Sequence, residues 1–261
     1  MTHHPDDLVR LLDGRRVCVL TGAGVSTDSG IPDYRGPLTR AKARNPIQHR
    51  SFVTDPATRA RYWARSALGW PRFRGFEPNP AHHAFTALER AGRLTGLLTQ
   101  NVDRLHAAAG TEALVEVHGR ADRVRCSRQT CALGAPRGSI ARADVPIAAF
   151  LAAPTDANVP RCPQCGARLR QHVLWFDEMY SGHADYDWPR VERAARDAAL
   201  VIFVGTSFSV GVTDFVLTQA VRRGRPVYSV DPGAVEPDPS VRVVAAPAEQ
   251  ALPALVSALA R

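Results

Sequence analysis

Segments that are apolar at nearly every position, rather than at alternate ones, recur along this chain between segments of helical spacing. Arg16–Thr21, Leu94–Gln100, Ala113–Val117, Ala199–Val204 and Arg225–Val230 read as buried strands. Asp6–Asp13, Pro56–Leu68, Pro80–Ala91, Val102–Ala109, Val210–Arg223 and Ala248–Leu259 read as helices, with Pro80 near one start and Gly92 and Gly110 as stops. A strand without a polar face must be covered on both sides, and strands that alternate with helices build a parallel sheet. The expected fold is α/β, a doubly wound, Rossmann-like parallel sheet. The 261 residues are 45% apolar and 22% charged, enough for a sizeable core and incompatible with general disorder. No apolar run approaches the roughly 18 residues that span a bilayer, and Met1–Asp13 lacks a basic-then-apolar leader. A soluble, cytoplasmic protein without membrane contact is expected.

The net charge is +8, and Lys42 is the one lysine among 33 basic residues. The arginines are scattered, with runs no longer than pairs such as Arg15-Arg16 and Arg222-Arg223, so no nucleic-acid face is indicated. The charge fits a solvated surface or attraction of an anionic ligand.

Five cysteines divide into one and four. Cys18 lies in the apolar run Val17–Leu20 and reads as a small buried hydrophobe. Cys126 and Cys131 form C-x4-C, Cys162 and Cys165 form C-x2-C, and 30 residues separate the pairs. Paired thiols at these spacings suit tetrahedral Zn2+ in a reducing compartment. Gly166 permits the tight turn after the second pair. Four sulfurs leave no open coordination position, so the metal is expected to be structural, in a module inserted at about residues 120–172 of a single 1–261 domain.

Open α/β sheets bind ligands beyond the carboxyl ends of their strands. After the first strand comes Gly22-Ala23-Gly24-Val25-Ser26, where paired glycines let backbone amides approach a pyrophosphate, although Thr27 replaces the usual third glycine. A purely structural turn explains these glycines about as well. Gly205-Thr206-Ser207 follows Ala199–Val204, and Asp231 follows Val227–Val230, where its carboxylate suits ribose hydroxyls. Gln100-Asn101-Val102-Asp103 places two amides and a carboxylate at a strand-to-helix junction, although Asn101 and Asp103 also suit helix capping. His118-Gly119 ends the next strand with an imidazole, the side chain best tuned for proton transfer near neutral pH.

Together these motifs resemble the sirtuin family over nearly the whole chain, from about residue 8 to the end. The resemblance runs through Gly22–Ser26, Ser29-Gly30-Ile31-Pro32-Asp33-Tyr34-Arg35, Gln100–Asp103, His118-Gly119, the four paired cysteines and Gly205–Ser207. Arg61-Tyr62-Trp63-Ala64-Arg65, Gly69-Trp70-Pro71 and Pro46-Ile47-Gln48-His49 are most similar to the class II, mitochondrial-type branch. The resemblance implies an NAD-dependent protein-lysine deacylase that moves an acyl group onto ADP-ribose and releases nicotinamide. It implies His118 as general base acting through the ribose hydroxyls, with Asn101 and Asp103 orienting nicotinamide and a water. Gly22, Ala23, Gly24 and Ser26 would cradle phosphates, and Gln100 and Gly205 would line the cofactor site. Thr206 and Ser207 would meet the ribose, and Asp231 the adenosine side. The loop bearing Asp33, Tyr34 and Arg35 would close over the cofactor. The acyl-lysine protein or peptide would lie along Val173, Trp175 and Phe176 as an added strand.

There are departures. Asp177-Glu178 stands where the family usually has Gly-Glu, and Asp231 where an Asn is usual. A carboxylate there would repel a 2′-phosphate, so NAD rather than NADP is expected. Tyr62 and Arg65 lie three apart on one helical face, a pairing that grips an acyl carboxylate in the desuccinylating branch. Acidic, acetyl, lipoyl and longer acyl groups all stay open. So do mono-ADP-ribosyl transfer, simple NAD hydrolysis and NAD sensing by a non-catalytic zinc module.

Overall fold

The computed structural model describes residues 9, 10, 12, 14–33, 47–180, 184–233 and 238–259. The elements run β1 (Val17–Thr21), α1 (His49–Thr54), α2 (Pro56–Phe73), α3 (Pro80–Arg90), β2 (Leu94–Thr99), α4 (Leu105–Ala108) and β3 (Leu114–Glu116). There follow β4 (Gly119–Cys126), β5 (Ile140–Ala141), α5 (Ala148–Ala152), β6 (Leu169–Val173) and α6 (Trp188–Asp197). The chain closes with β7 (Leu200–Val204), α7 (Gly211–Arg222), β8 (Val227–Val230), β9 (Val241–Val244) and α8 (Ala248–Leu259). The Asp6–Asp13 helix falls mostly outside the described residues, with Val9, Arg10 and Leu12 helical.

Six strands form one sheet in the order β3-β2-β1-β7-β8-β9, every pairing parallel. All five residues of β1 are buried because successive side chains enter different cores. Val17 and Val19 pack with Phe85 and Leu88 of α3 and Leu252 of α8. Cys18 and Leu20 pack with Val191 and Ala194 of α6 and Val212 and Val216 of α7. Burial pushes the Cys18 thiol up to about 12, the behaviour of an inert core residue. The strand order reverses between β1 and β7, so the ligand crevice of such a sheet opens there.

A second, antiparallel sheet of order β5-β4-β6 carries the paired cysteines. Phe52 of α1 and Trp63 of α2 close its core against Val124, Phe150, Leu169 and Trp175, and the Trp63 Nε1–H donates to the Leu169 carbonyl at 2.9 Å. The segment between the cysteine pairs holds β5 and α5. Helix α2 runs past the expected end at Leu68 to Phe73, with Pro71 in its last turn. The helix expected over Val102–Ala109 shrinks to Leu105–Ala108. Arg104 adopts a left-handed φ of 74° before it, and the Asp103 carboxylate accepts the Leu105 N–H at 2.9 Å.

The Asp177 departure has a physical account. Its carboxylate accepts the backbone N–H groups of His49 at 2.6 Å and Arg50 at 2.9 Å, capping α1 from across the chain. The formal cap residue Gln48 supplies no side-chain capping bond. Asp177→Ala is expected to cost about 1 kcal/mol, read as a lower thermal midpoint.

Candidate active site and cysteine centre

The carboxyl ends of β1, β2, β3, β7 and β8 bring most of the strand-end candidates to one crevice. The β1 and β7 loops are clasped: Gly22 N–H donates to Val204 O and Gly24 N–H to Gly205 O, each at 2.9 Å. A Cβ on Gly24 would stand 2.7 Å from Gly205 Cα, and one on Gly22 would stand 2.6 Å from Gly205 O. Close approach of two backbones therefore accounts for these glycines, and two of their amides are committed within the protein. Gly24→Ala is expected to force the loops apart at a cost of about 1–3 kcal/mol, measured by thermal denaturation.

Behind the loops lies a polar cluster. Ser26 Oγ–H donates to Asp103 Oδ2 at 2.8 Å and accepts from the Asn101 amide at 3.1 Å. That amide also reaches the Gly22 carbonyl at 3.1 Å. Burial holds the Asp103 carboxyl above the usual carboxylate range, opposed by the Leu105 N–H, Ser26 and Asn101. His82, from the first turn of α3, stands 3.5 Å from Ser26 Oγ through Nε2. Its Nδ1 accepts the Asn79 N–H in a capping box. His106 Nε2 lies 3.0 Å from Thr21 Oγ1, which donates to Thr99 Oγ1 at 2.9 Å. His82 and His106 escaped sequence reasoning. Asn79-Pro80-Ala81-His82 carried the capping-box signal for the first, whereas His106 had no local signal.

His118 lies between β3 and β4. Its Nδ1 is 2.9 Å from the Gln100 carbonyl oxygen and its Nε2 is 2.9 Å from Tyr180 Oη. A carbonyl only accepts, so Nδ1 carries the proton and Nε2 the lone pair. Burial pushes His118 down to about 4, opposed by the Gln100 hydrogen bond. The imidazole is therefore neutral at neutral pH, with its lone pair on Nε2. Tyr180 was not among the sequence candidates, because a tyrosine 62 positions downstream gives no local signal.

Thr206 is buried and accepts from Gln100 Nε2 at 2.9 Å, whereas Ser207 is exposed and bonds Ser209. Asp231 accepts the Gly233 N–H at 2.7 Å. Burial raises its carboxyl and the charge of Asp33 raises it further, so these two acids face a common region. Tyr34 and Arg35 lie outside the described residues.

The peptide-strand candidates separate. Val173 pairs with Gly119 in the β4–β6 ladder, Trp175 is buried, and Phe176 is 62% exposed. Tyr62 is stacked on Trp175 with ring centroids 4.5 Å apart, and its hydroxyl accepts the Gln171 N–H at 3.2 Å. Arg65 is exposed on the same helix. Thus Tyr62 is engaged in packing, and no contact joins it to Arg65 among the described residues.

The four paired thiols converge: Cys126, Cys131, Cys162 and Cys165 have their sulfurs within 4.8 Å of one another. Cys126 and Cys165 sulfurs are 3.5 Å apart, and those of Cys131 and Cys162 are 3.6 Å apart. A tetrahedral ZnS4 centre with bonds of about 2.3 Å has edges of about 3.8 Å, so the residues fit the ion. Gly166 takes a φ of +70°. The Ala167 N–H is the main influence drawing Cys165 down to about 7, and the Arg128 N–H reaches Cys126 Sγ at 3.4 Å. Amides aimed at sulfur stabilise thiolates. The set would saturate a tetrahedral ion, so a metal held there would serve structure. Among the described residues no helix is long and apolar enough to cross a membrane.

The model of the Sir2 family matches residues 22–212. The NAD-dependent protein deacetylase of Xanthomonas axonopodis pv. citri (strain 306) is 42% identical over 246 residues, covering 86% of this chain and 80% of that protein. NAD-dependent protein deacetylase 3 of Pseudomonas syringae pv. tomato is 34% identical over 271 residues, covering 97% and 95%. Among solved structures, a Sir2 homologue in complex with NAD superposes with a TM-score of 0.78 at 29% identity, covering 98% of this chain and 94% of that one. A Sir2 complex with a p53 peptide and NAD+ gives a TM-score of 0.79 at 25% identity, covering 98% of both chains. The fold, the crevice and these matches agree: the chain belongs to the Sir2 family of sirtuins.

Proposed function

We propose that this chain is an NAD-dependent protein-lysine deacylase. It would cleave the nicotinamide–ribose bond of NAD, move the acyl group of an acyl-lysine onto ADP-ribose, and release nicotinamide and the free lysine. The observation that carries this reading is the neutral, buried His118, which holds its lone pair on Nε2 because Nδ1–H is tied to the carbonyl of Gln100, the residue that also bonds Thr206 across the crevice. A general base needs that protonation state and that lone pair.

Around it, the committed amides and carboxylate of Gln100, Asn101 and Asp103 form a preorganised polar wall for charge developing on the ribose. Gly22, Ala23, Gly24 and Ser26 would line the phosphates. Gly205, Thr206 and Ser207 would lie along the ribose, with Asp231 at the adenosine side. Its negative charge favours NAD over NADP. Asp33, Tyr34 and Arg35 would cover the cofactor. The peptide would run along Val173 and Phe176 over the Trp175 base.

The Pro46–His49, Arg61–Arg65 and Gly69–Pro71 runs support the class II, mitochondrial-type branch. The single catalytic domain would span 1–261 with its zinc module at about 120–172. Thiols that must stay reduced to hold zinc support a cytoplasmic setting.

The test is a panel of acetyl-, succinyl-, lipoyl- and longer-acyl-lysine peptides incubated with NAD. Nicotinamide release that requires peptide and matches freed lysine is expected. Release without peptide marks an NAD hydrolase, ADP-ribose on protein marks a transferase, and no release marks a sensor. If acidic acyl groups are preferred, Arg65→Ala should remove that preference, because Arg65 is the exposed member of the Tyr62 and Arg65 pair.

A further inference from the structure

His118 has one nitrogen free to take a proton, and in this structure that nitrogen is already engaged. Nδ1 is committed to the Gln100 carbonyl, and Tyr180 Oη lies 2.9 Å from Nε2. Nε2 lacks a hydrogen, so the phenol donates. Burial pushes the Tyr180 phenol up to about 12, so it stays a donor at working pH.

The hydroxyl is firmly placed. The Tyr180 ring lies nearly parallel to the imidazole, at 21° with centroids 5.8 Å apart. It packs on Trp188 of α6 at 5.1 Å, and Trp188 is backed by Phe215 of α7 at 4.8 Å. The Val212 N–H of α7 is directed at the phenol oxygen. Two helices from opposite sides of β7 in the chain thus aim one hydroxyl at the lone pair of the base.

We infer that Tyr180 is a positioning residue whose hydroxyl occupies the proton-accepting nitrogen of His118 in the free enzyme and yields that place to a sugar hydroxyl of NAD. This rests on the reading of His118 as the general base. The exchange replaces one O–H···N hydrogen bond by another, so the base is held in one tautomer and never left without a donor. It also makes Tyr180 a competitor of the dinucleotide. No charged group contributes to the His118 shift, which comes from burial and Gln100. Of the acids in the region, Asp103 is bonded to Ser26, and Asp214 of α7 acts on Tyr180.

Tyr180→Phe tests this in two ways. Without peptide, the variant is expected to bind NAD about two- to tenfold more tightly, the worth of one hydrogen bond no longer displaced. Unchanged or weaker binding overturns the inference. In turnover, kcat/KM reports the free enzyme and kcat the complex. Loss of the phenol donor should move the acid limb of kcat/KM up by about half to one pH unit and leave that of kcat in place. If neither limb moves, Tyr180 merely packs; if both move, it stays on His118 in the complex; either result overturns the inference. Failure of the deacylase reading shows separately, as a wild-type chain that binds NAD but releases no nicotinamide with any peptide, or as His118→Ala that stays active.

Discussion

His118→Ala is expected to lower acyl-lysine turnover by about 100-fold or more, the usual contribution of a well-placed general base. The imidazole has its Nδ1–H tied to the Gln100 carbonyl and its Nε2 facing the Tyr180 hydroxyl, a donor that cannot stand in as the base. The nearby carboxylate, Asp103, already accepts from Ser26 and from the Leu105 N–H. Peptide-dependent release of free lysine is the quantity to follow, with far-ultraviolet circular dichroism confirming that the variant is folded. Retention of full activity would remove His118 from the chemistry and leave the crevice without a base.

Removal of the metal is expected to have the second largest effect. Elemental analysis should find one zinc per chain. Cys162→Ala, or prolonged chelation, should lower the thermal midpoint by about 10 °C or more, because structural zinc supplies much of its module's folding free energy. Cys126, Cys131 and Cys162 are themselves part of the core that holds Phe52, Trp63, Phe150 and Trp175. Loss of the ion would leave four thiols crowded within 4.8 Å with nothing to bind them together. A metal-free protein with an unchanged midpoint would contradict this account.

The central strands could be read from the sequence because both of their faces are buried, which leaves an uninterrupted apolar run as the signature. The same reasoning passed over β4, whose sequence Gly119–Cys126 includes Arg120, Asp122, Arg123 and Arg125. These form ion pairs, among them Arg120 with Asp122 inside the module and the buried Arg125 with Asp185 beyond it. Helix α6 was hidden because its buried face is built from Val191, Ala194 and Ala195, two of them small. Edge strand β9 was hidden because it is four residues long and carries an exposed Arg242.

In the crevice, residues adjacent to a strand end could be anticipated because the doubly wound fold sends every such end to one side. Tyr180 and His106 are different: tertiary packing alone brings them to His118 and Thr21. Asp177 shows the converse. Read locally it is only a departure from the family's Gly-Glu, whereas the structure uses it to tie the segment after β6 to α1.

The position of His118 along the backbone has a mechanical consequence. The large sheet ends at Glu116 and the small one begins at Gly119, so the imidazole rides on the two-residue seam between them. Its own carbonyl accepts the Leu174 N–H at 2.9 Å, just beyond β6. Any twist of the cysteine-bearing sheet about that seam therefore turns the ring as well. An ion held by the four thiols would in this way set the aim of the proposed base.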